Sequence, residues 1–86
     1  MKSYTKEEVA RLSGMIVQHI AGTSTDINPS QKLFSDFSLD SLQFVSVLVE
    51  LESQFDFQFD DETFEKIYDM RFSEIVDYIY AHHSHN

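Results

Sequence analysis

The chemistry of this sequence centres on the tripeptide Asp40-Ser41-Leu42. Asp40 and Gln43 have the spacing of a capping box, in which Asp40 precedes the first helical residue and Gln43 reaches back to it. With Asp40 as the cap, Ser41 stands at the first helical position and its hydroxyl points to solvent. A phosphate on that hydroxyl would lie at the positive end of the helix macrodipole, beside free backbone N–H groups. The pattern therefore predicts that Ser41 can hold an anionic group.

The helix that begins there, predicted over residues 41–55, is apolar on more than one face. One row has the spacing of a buried stripe: Phe44, Val47, Leu48, Leu51 and Phe55. A second row at helical spacing comprises Leu42, Val45 and Val49. Either this helix is central and enclosed, or the second row is a recognition face for a partner, flanked by Glu50 and Glu52.

Three further helices are predicted around it. The first, over about 5–21, begins at a Thr5/Glu8 capping box and ends at Gly22. Its expected core-facing residues are Val9, Leu12, Ile16 and Ile20. A short third helix over about 61–67 follows the acidic start at residues 60–62, and a fourth covers about 70–82. The predicted fold class is therefore all-α, with four helices of which the third is short and a long ordered loop between the first two.

Two connections are expected to be ordered without being helical. The long segment from Gly22 to Leu39 contains several helix breakers, and its apolar residues should hold it against the core, with one helical turn near Leu33. The alternating segment from Phe55 to Phe59 resembles a strand, but nothing else in the chain offers it a partner. We expect an extended connection with its phenylalanines turned inward.

Length and composition limit the possible functions. Eighty-six residues form one domain, with an ordered core expected over about 5–81 and a frayed tail over 82–86. Such a domain has little volume for a deep active site, and the absence of cysteine excludes a disulfide framework or a cysteine nucleophile. Fifteen acidic against six basic residues argue against nucleic acid as a partner. There is no apolar run long enough for a membrane span and no signal-peptide pattern, so a soluble, cytoplasmic monomer is expected.

At this point a family resemblance is evident. Asp40-Ser41-Leu42 resembles the attachment motif of acyl carrier proteins and peptidyl carrier proteins. The resemblance extends from about Lys6 to Tyr80 and includes residues 27–29, Leu33, Asp36, 49–52, Phe55, 60–62 and 75–79. It implies a four-helix bundle in which Ser41 carries 4′-phosphopantetheine through a phosphodiester, with an acyl or aminoacyl group held as a thioester on the thiol of that arm.

The resemblance also implies a role. The chain would be a discrete carrier without catalysis of its own, because the prosthetic group supplies the reactive thiol. Its partners would be a phosphopantetheinyl transferase, an enzyme that loads the acyl or aminoacyl group, and a downstream synthase or transferase. Leu42, Val45 and Val49 would contact these partners, with Glu50 and Glu52 as peripheral charges. The third helix, near Phe64 and Ile67, would help to form the interface with the partners. A protein-interaction module without a prosthetic group is the alternative from another functional class.

Some positions depart from the family pattern. Ser38 replaces the usual glycine two residues before Asp40. A positive φ there would cost serine on the order of 1 kcal/mol, so we expect a slightly different turn. Gln43 and Ser46 occupy positions that are usually acidic in the carriers of fatty acid synthesis. We therefore expect a specialised pathway, either secondary-metabolite or aminoacyl, with primary fatty acid synthesis as the alternative.

Other chemistry is not supported. Asp40 next to Ser41 does not make a catalytic triad, because adjacency in sequence brings no base within reach and there is no nucleophile elbow. No metal site is expected, and the histidines near the C-terminus are interpreted as part of the frayed tail. The eight phenylalanines can fill the space between the helices, so we expect a short cargo that stays outside the bundle.

Overall fold

A computed structural model describes residues 3–83, and within this range the chain folds into four α-helices. They are α1 (Lys6–Ala21), α2 (Ser41–Phe55), the short α3 (Asp61–Lys66) and α4 (Phe72–His82); a 3₁₀ turn, Ile67–Asp69, continues α3. The described range contains no strand, only an isolated antiparallel bridge between Lys32 and Arg71. The predicted all-α fold class is confirmed.

Capping sets where the helices begin. In α1 the Thr5 hydroxyl accepts from the N–H of Glu8 at 3.1 Å, and the Glu8 carboxylate accepts from the N–H of Thr5 at 2.9 Å. Gly22 ends this helix in the left-handed conformation with φ 72°. The fourth helix begins two residues later than predicted, because Met70 and Arg71 are extended. Arg71 is the N-cap of this helix, and Glu74 accepts from the N–H of Arg71 at 2.8 Å.

The core lies where α1, α2 and α4 meet the long loop. On α1 its centre runs along Val9, Ser13 and Val17, which are fully buried, whereas Leu12, Ile16 and Ile20 are only partly buried. Val9 is thus confirmed as a core residue, and Leu12, Ile16 and Ile20 pack against the core from its edge, where they also line a groove beside α2. The pattern of apolar residues could not identify Ser13 as a core position.

The loop between α1 and α2 is ordered, as predicted. It buries Leu33, Phe34 and Leu39, and the N–H of Asp36 donates to the carbonyl of Lys32 in the expected helical turn. The middle of the loop is bonded to the start of α4, where the N–H of Phe72 donates to the carbonyl of Gln31 at 2.8 Å. The loop therefore delivers Asp40 to a fixed position.

The segment after α2 and the start of the C-terminal tail compare differently with the predictions. The segment after α2 begins with Asp56 in the left-handed conformation (φ 53°) rather than extended, and it is neither helix nor strand. Phe55 and Phe59 are buried and Phe57 is partly buried, as predicted. The tail does not fray where expected. His82 belongs to α4 and His83 is buried, because its ring packs against Tyr4 and bonds to backbone at both nitrogens. The rest of the predicted tail, 84–86, lies outside the described residues.

Candidate functional site

The start of α2 has the predicted capping box. The Asp40 carboxylate accepts from the N–H of Gln43 at 2.8 Å, and the Gln43 side-chain oxygen accepts from the N–H of Asp40 at 3.0 Å. The amide of Gln43 also donates to the carbonyl of Ile20 at 3.2 Å, which joins this turn to the end of α1. Asp40 and Gln43 therefore hold the helix start.

Ser41 occupies the first position of α2 and is exposed. Among the hydrogen bonds of the described residues, the N–H groups of Gln43 and Phe44 have acceptors, whereas those of Ser41 and Leu42 have none. Unpaired amides at a helix start favour an anion. The hydroxyl is thus accessible to another enzyme and surrounded by groups that suit a phosphate.

The loop that leads to Ser41 contains a residue in the left-handed conformation. Ser38 has φ 53°, so the backbone keeps the conformation that a glycine would take at this position. The expectation of a different turn was wrong. The bonding of the loop explains the outcome, because the N–H of Leu39 donates to the carbonyl of Phe34 just before the chain reaches Asp40. Serine therefore adopts the strained conformation rather than changing the loop.

An open pocket of about 440 Å³ adjoins the serine. Its lining comprises Leu39, Asp40, Ser41, Phe44, Val45 and Tyr68. Sequence reasoning missed Tyr68, which lies in the 3₁₀ turn after α3 and is 52% exposed. A residue in so short a turn has no periodicity that would place it beside Ser41.

The second apolar row of α2 is on the surface. Leu42 is 80% exposed, Val45 50% and Val49 54%, while Val47, Leu48, Leu51 and Phe55 are buried. The helix is therefore not enclosed on all sides, and the structure places this row next to Ser41. Of the flanking acids, Glu50 is exposed, whereas Glu52 is half-buried and its carboxylate accepts from the N–H of Phe59 at 2.9 Å. Near α3, Phe64 is half exposed and Ile67 fully buried.

The described residues offer little other chemistry. They contain no group of three or more His, Asp or Glu side chains that could hold a metal ion. No base is hydrogen-bonded to the Ser41 hydroxyl in this part of the chain. None of the helices described is long and apolar enough to cross a membrane.

Comparison with known proteins identifies the family of this chain. Residues 14–79 match the family model described as the phosphopantetheine attachment site. The chain belongs to this phosphopantetheine-binding carrier family. It is 37% identical to an acyl carrier protein of Chlorobium phaeobacteroides over 65 residues. These residues are 76% of this chain and 81% of the relative. An acyl carrier protein of Clostridium acetobutylicum is 29% identical over 72 residues, or 84% of this chain and 91% of the relative.

Membership of the carrier family assigns the general chemistry. The chain is a carrier without catalysis of its own, and its cofactor is covalently attached 4′-phosphopantetheine. The residues present fit this group, because an exposed hydroxyl at a helix start can form a phosphodiester and unpaired amides lie beside it. The group supplies the thiol that this cysteine-free chain lacks.

Proposed function

We propose that Ser41 is the attachment residue and that the chain carries an acyl or aminoacyl group between partner enzymes as a thioester. The observation that carries this proposal is the position of the Ser41 hydroxyl, exposed at the first residue of a capped helix. Asp40 and Gln43 keep that helix start rigid, so a modifying enzyme meets the hydroxyl in a fixed orientation. The relatives named acyl carrier proteins support an acyl cargo.

The docking face that we propose for partners comprises Leu42, Val45, Val49 and Glu50. The apolar side chains are exposed beside Ser41, and Glu50 adds charge at their edge. Glu52, first assigned to this face, is engaged with the backbone of Phe59, so its role is to hold the connection after α2. A net charge of −9 favours partners with basic surfaces, mainly by raising association rates at low salt.

The partners that we propose are a phosphopantetheinyl transferase, a loading enzyme and a downstream synthase or transferase, acting on a monomer in the cytoplasm.

We favour a specialised pathway over primary fatty acid synthesis. Gln43 serves the capping box and Ser46 is an exposed neutral residue, so the first half of α2 contains no acidic side chain. The test is loading by purified malonyl transferase of fatty acid synthesis: slow transfer supports a specialised pathway, and transfer as fast as to a fatty-acid carrier contradicts it.

One experiment separates the carrier from a protein-interaction module. The full chain is incubated with CoA, Mg²⁺ and a broad-specificity phosphopantetheinyl transferase, and its intact mass is measured. A gain of one phosphopantetheinyl unit supports the proposal. An unchanged mass with several transferases, each active on a control carrier, favours the interaction module.

A further inference from the structure

An open groove of about 620 Å³ runs between α1 and α2, and its α1 wall is mainly apolar. Leu12, Ile16 and Ile20 recur at every fourth position along this wall, and all three are only partly buried. Met15 beside them is 54% exposed. The row spans about 12 Å along the helix axis, which is a little over two turns. This α1 wall therefore offers apolar side chains that the rest of the described chain does not cover completely.

The α2 wall of the same groove is polar. Its residues also recur at every fourth position, and all are exposed. They are Ser46, Glu50 and Gln54. The two helices run in opposite directions, because the Gln43 amide near the start of α2 donates to the carbonyl of Ile20. The Gln54 amide near the end of α2 donates to the Tyr4 hydroxyl just before α1. An apolar row and a polar row of matched spacing thus face each other across the groove.

Glu50 supplies the charge of this groove, as the one Asp, Glu, Lys or Arg side chain among its described lining residues. Within residues 3–83 its carboxylate has no ion-pair or hydrogen-bond partner. The two cations of α1 are placed elsewhere, since Lys6 pairs with Asp77 on α4 and Arg11 lines a different pocket. An unpaired carboxylate in the middle of the polar wall favours a cationic occupant.

We propose that the groove between α1 and α2 is a docking site for a basic amphipathic helix of a partner protein. A helix presents residues at i and i+4 as one row. An apolar row of the partner can therefore cover the α1 wall while its neighbouring row brings a Lys or Arg to Glu50. The inference goes beyond the proposed function, because it requires no group on Ser41. It also uses apolar residues of α1 rather than those of the docking face, with which it shares only Glu50.

The charge of the chain favours this occupant over two others. A second copy would bring another net charge of −9 to the groove, and the two copies would repel each other. An anionic membrane surface would be repelled by the same charge. A cationic helix is attracted instead, and the attraction should weaken as salt is added.

The test is an NMR titration of the full, unmodified chain with two matched peptides. Both peptides are hydrocarbon-stapled helices with a leucine at every fourth position, and the neighbouring row contains arginine in one and glutamate in the other. We expect the arginine peptide to shift the methyl signals of Leu12, Ile16 and Ile20. At low salt it should bind about tenfold more tightly than the glutamate peptide.

Two pairs of variants locate the binding site. Met15 and Val49 are both 54% exposed, but only Met15 lines the groove. Met15→Ala should weaken binding of the arginine peptide about threefold, because it removes apolar area, and Val49→Ala should leave the affinity unchanged. Glu50→Gln should also weaken binding about threefold. Glu65→Gln is its control, since it changes the net charge equally at an exposed position on α3 and should have little effect.

Four results would overturn the proposal. The arginine peptide leaves the groove methyl signals unshifted at millimolar concentration, or the two peptides bind equally well. Val49→Ala weakens binding and Met15→Ala does not, which would place the peptide on the docking face. The groove signals of the chain alone shift with its concentration, which would make a second copy the occupant. None of these results affects the mass gain that tests attachment at Ser41, so the two proposals can fail separately.

Discussion

The backbone N–H of Tyr4 donates to Nε2 of His83 at 3.2 Å, which joins the start of the described chain to the end of α4. Nδ1 of the same ring lies 2.9 Å from the carbonyl of Tyr80, so a neutral ring with its proton on Nδ1 satisfies both partners. The Tyr4 ring also packs edge-on against Phe55, with centroids 5.1 Å apart. This contact ties the N-terminal segment to the ends of both α2 and α4.

His83→Ala should therefore destabilise the fold by about 2 kcal/mol, because it removes a buried ring and leaves the N–H of Tyr4 without its acceptor. His19→Ala is the matched control, since His19 is exposed near the end of α1 and should cost little. Urea unfolding of the three proteins measures the effect. Equal stability of His83→Ala and His19→Ala would show that the Tyr4–His83 contact contributes nothing.

Ser38→Gly should stabilise the carrier by about 1 kcal/mol, because Ser38 has φ 53° and glycine adopts this conformation without a Cβ clash. The control is Ser35→Gly in the same loop, at an exposed residue without positive φ, where added chain entropy should reduce stability slightly. Thermal unfolding of both variants distinguishes them. A melting temperature lowered in both would contradict the strain assigned to Ser38.

Asp60, the N-cap of α3, gives a pH-dependent prediction. The N–H of Thr63 donates to its carboxylate at 2.7 Å, and this bond, with smaller contributions from the Thr63 and Tyr78 hydroxyls, lowers the pKa of Asp60 below its ordinary 3.8. A lowered folded-state pKa means that the stabilisation is complete above 3.8 and is lost as the pH falls through the folded value. The stability advantage of the wild type over Asp60→Asn should be largest near neutral pH and shrink below pH 3.8. A difference independent of pH in urea titrations would contradict it.

Asp40 has two separable roles, as helix cap and as the neighbour of the modified serine. Asp40→Asn should keep most of the cap and its stability, whereas Asp40→Ala should lose about 1 kcal/mol. We also expect Asp40→Asn to slow modification by the transferase. The variant removes a carboxylate that would help the enzyme to engage the Ser41 hydroxyl near the enzyme's own Mg²⁺. Mass spectrometry of samples quenched at successive times measures the rate of modification. Unchanged kinetics in Asp40→Asn would limit Asp40 to the structural role.

The parts of the fold that the sequence predicts best are those fixed by local chemistry. The start of α2 follows from the Asp40/Gln43 pair, and its end at Phe55 follows from the last residue of the buried row. The second apolar row of α2, Leu42, Val45 and Val49, allowed either an enclosed helix or an exposed face, and the structure shows the exposed face.

What the sequence did not predict depends on contacts between distant segments. Ser13 lies in the core although serine is polar, and His83 is buried only because Tyr4 reaches it across the fold. Tyr68 comes to the pocket of Ser41 through the placement of the 3₁₀ turn against α2, which no local periodicity encodes. Ser38 retains a left-handed turn because the surrounding loop is bonded and packed on both sides.

The proposed function depends on attachment of the phosphopantetheine at Ser41. The most direct measurement is the intact mass of the wild type, Ser41→Ala and Ser46→Ala after incubation with CoA and a broad-specificity transferase. Ser46 is an exposed serine on the same helix and therefore controls for removal of a nearby hydroxyl. We expect a gain of one phosphopantetheinyl unit in the wild type and in Ser46→Ala, and none in Ser41→Ala. A folded Ser41→Ala protein that still gains this mass would contradict it.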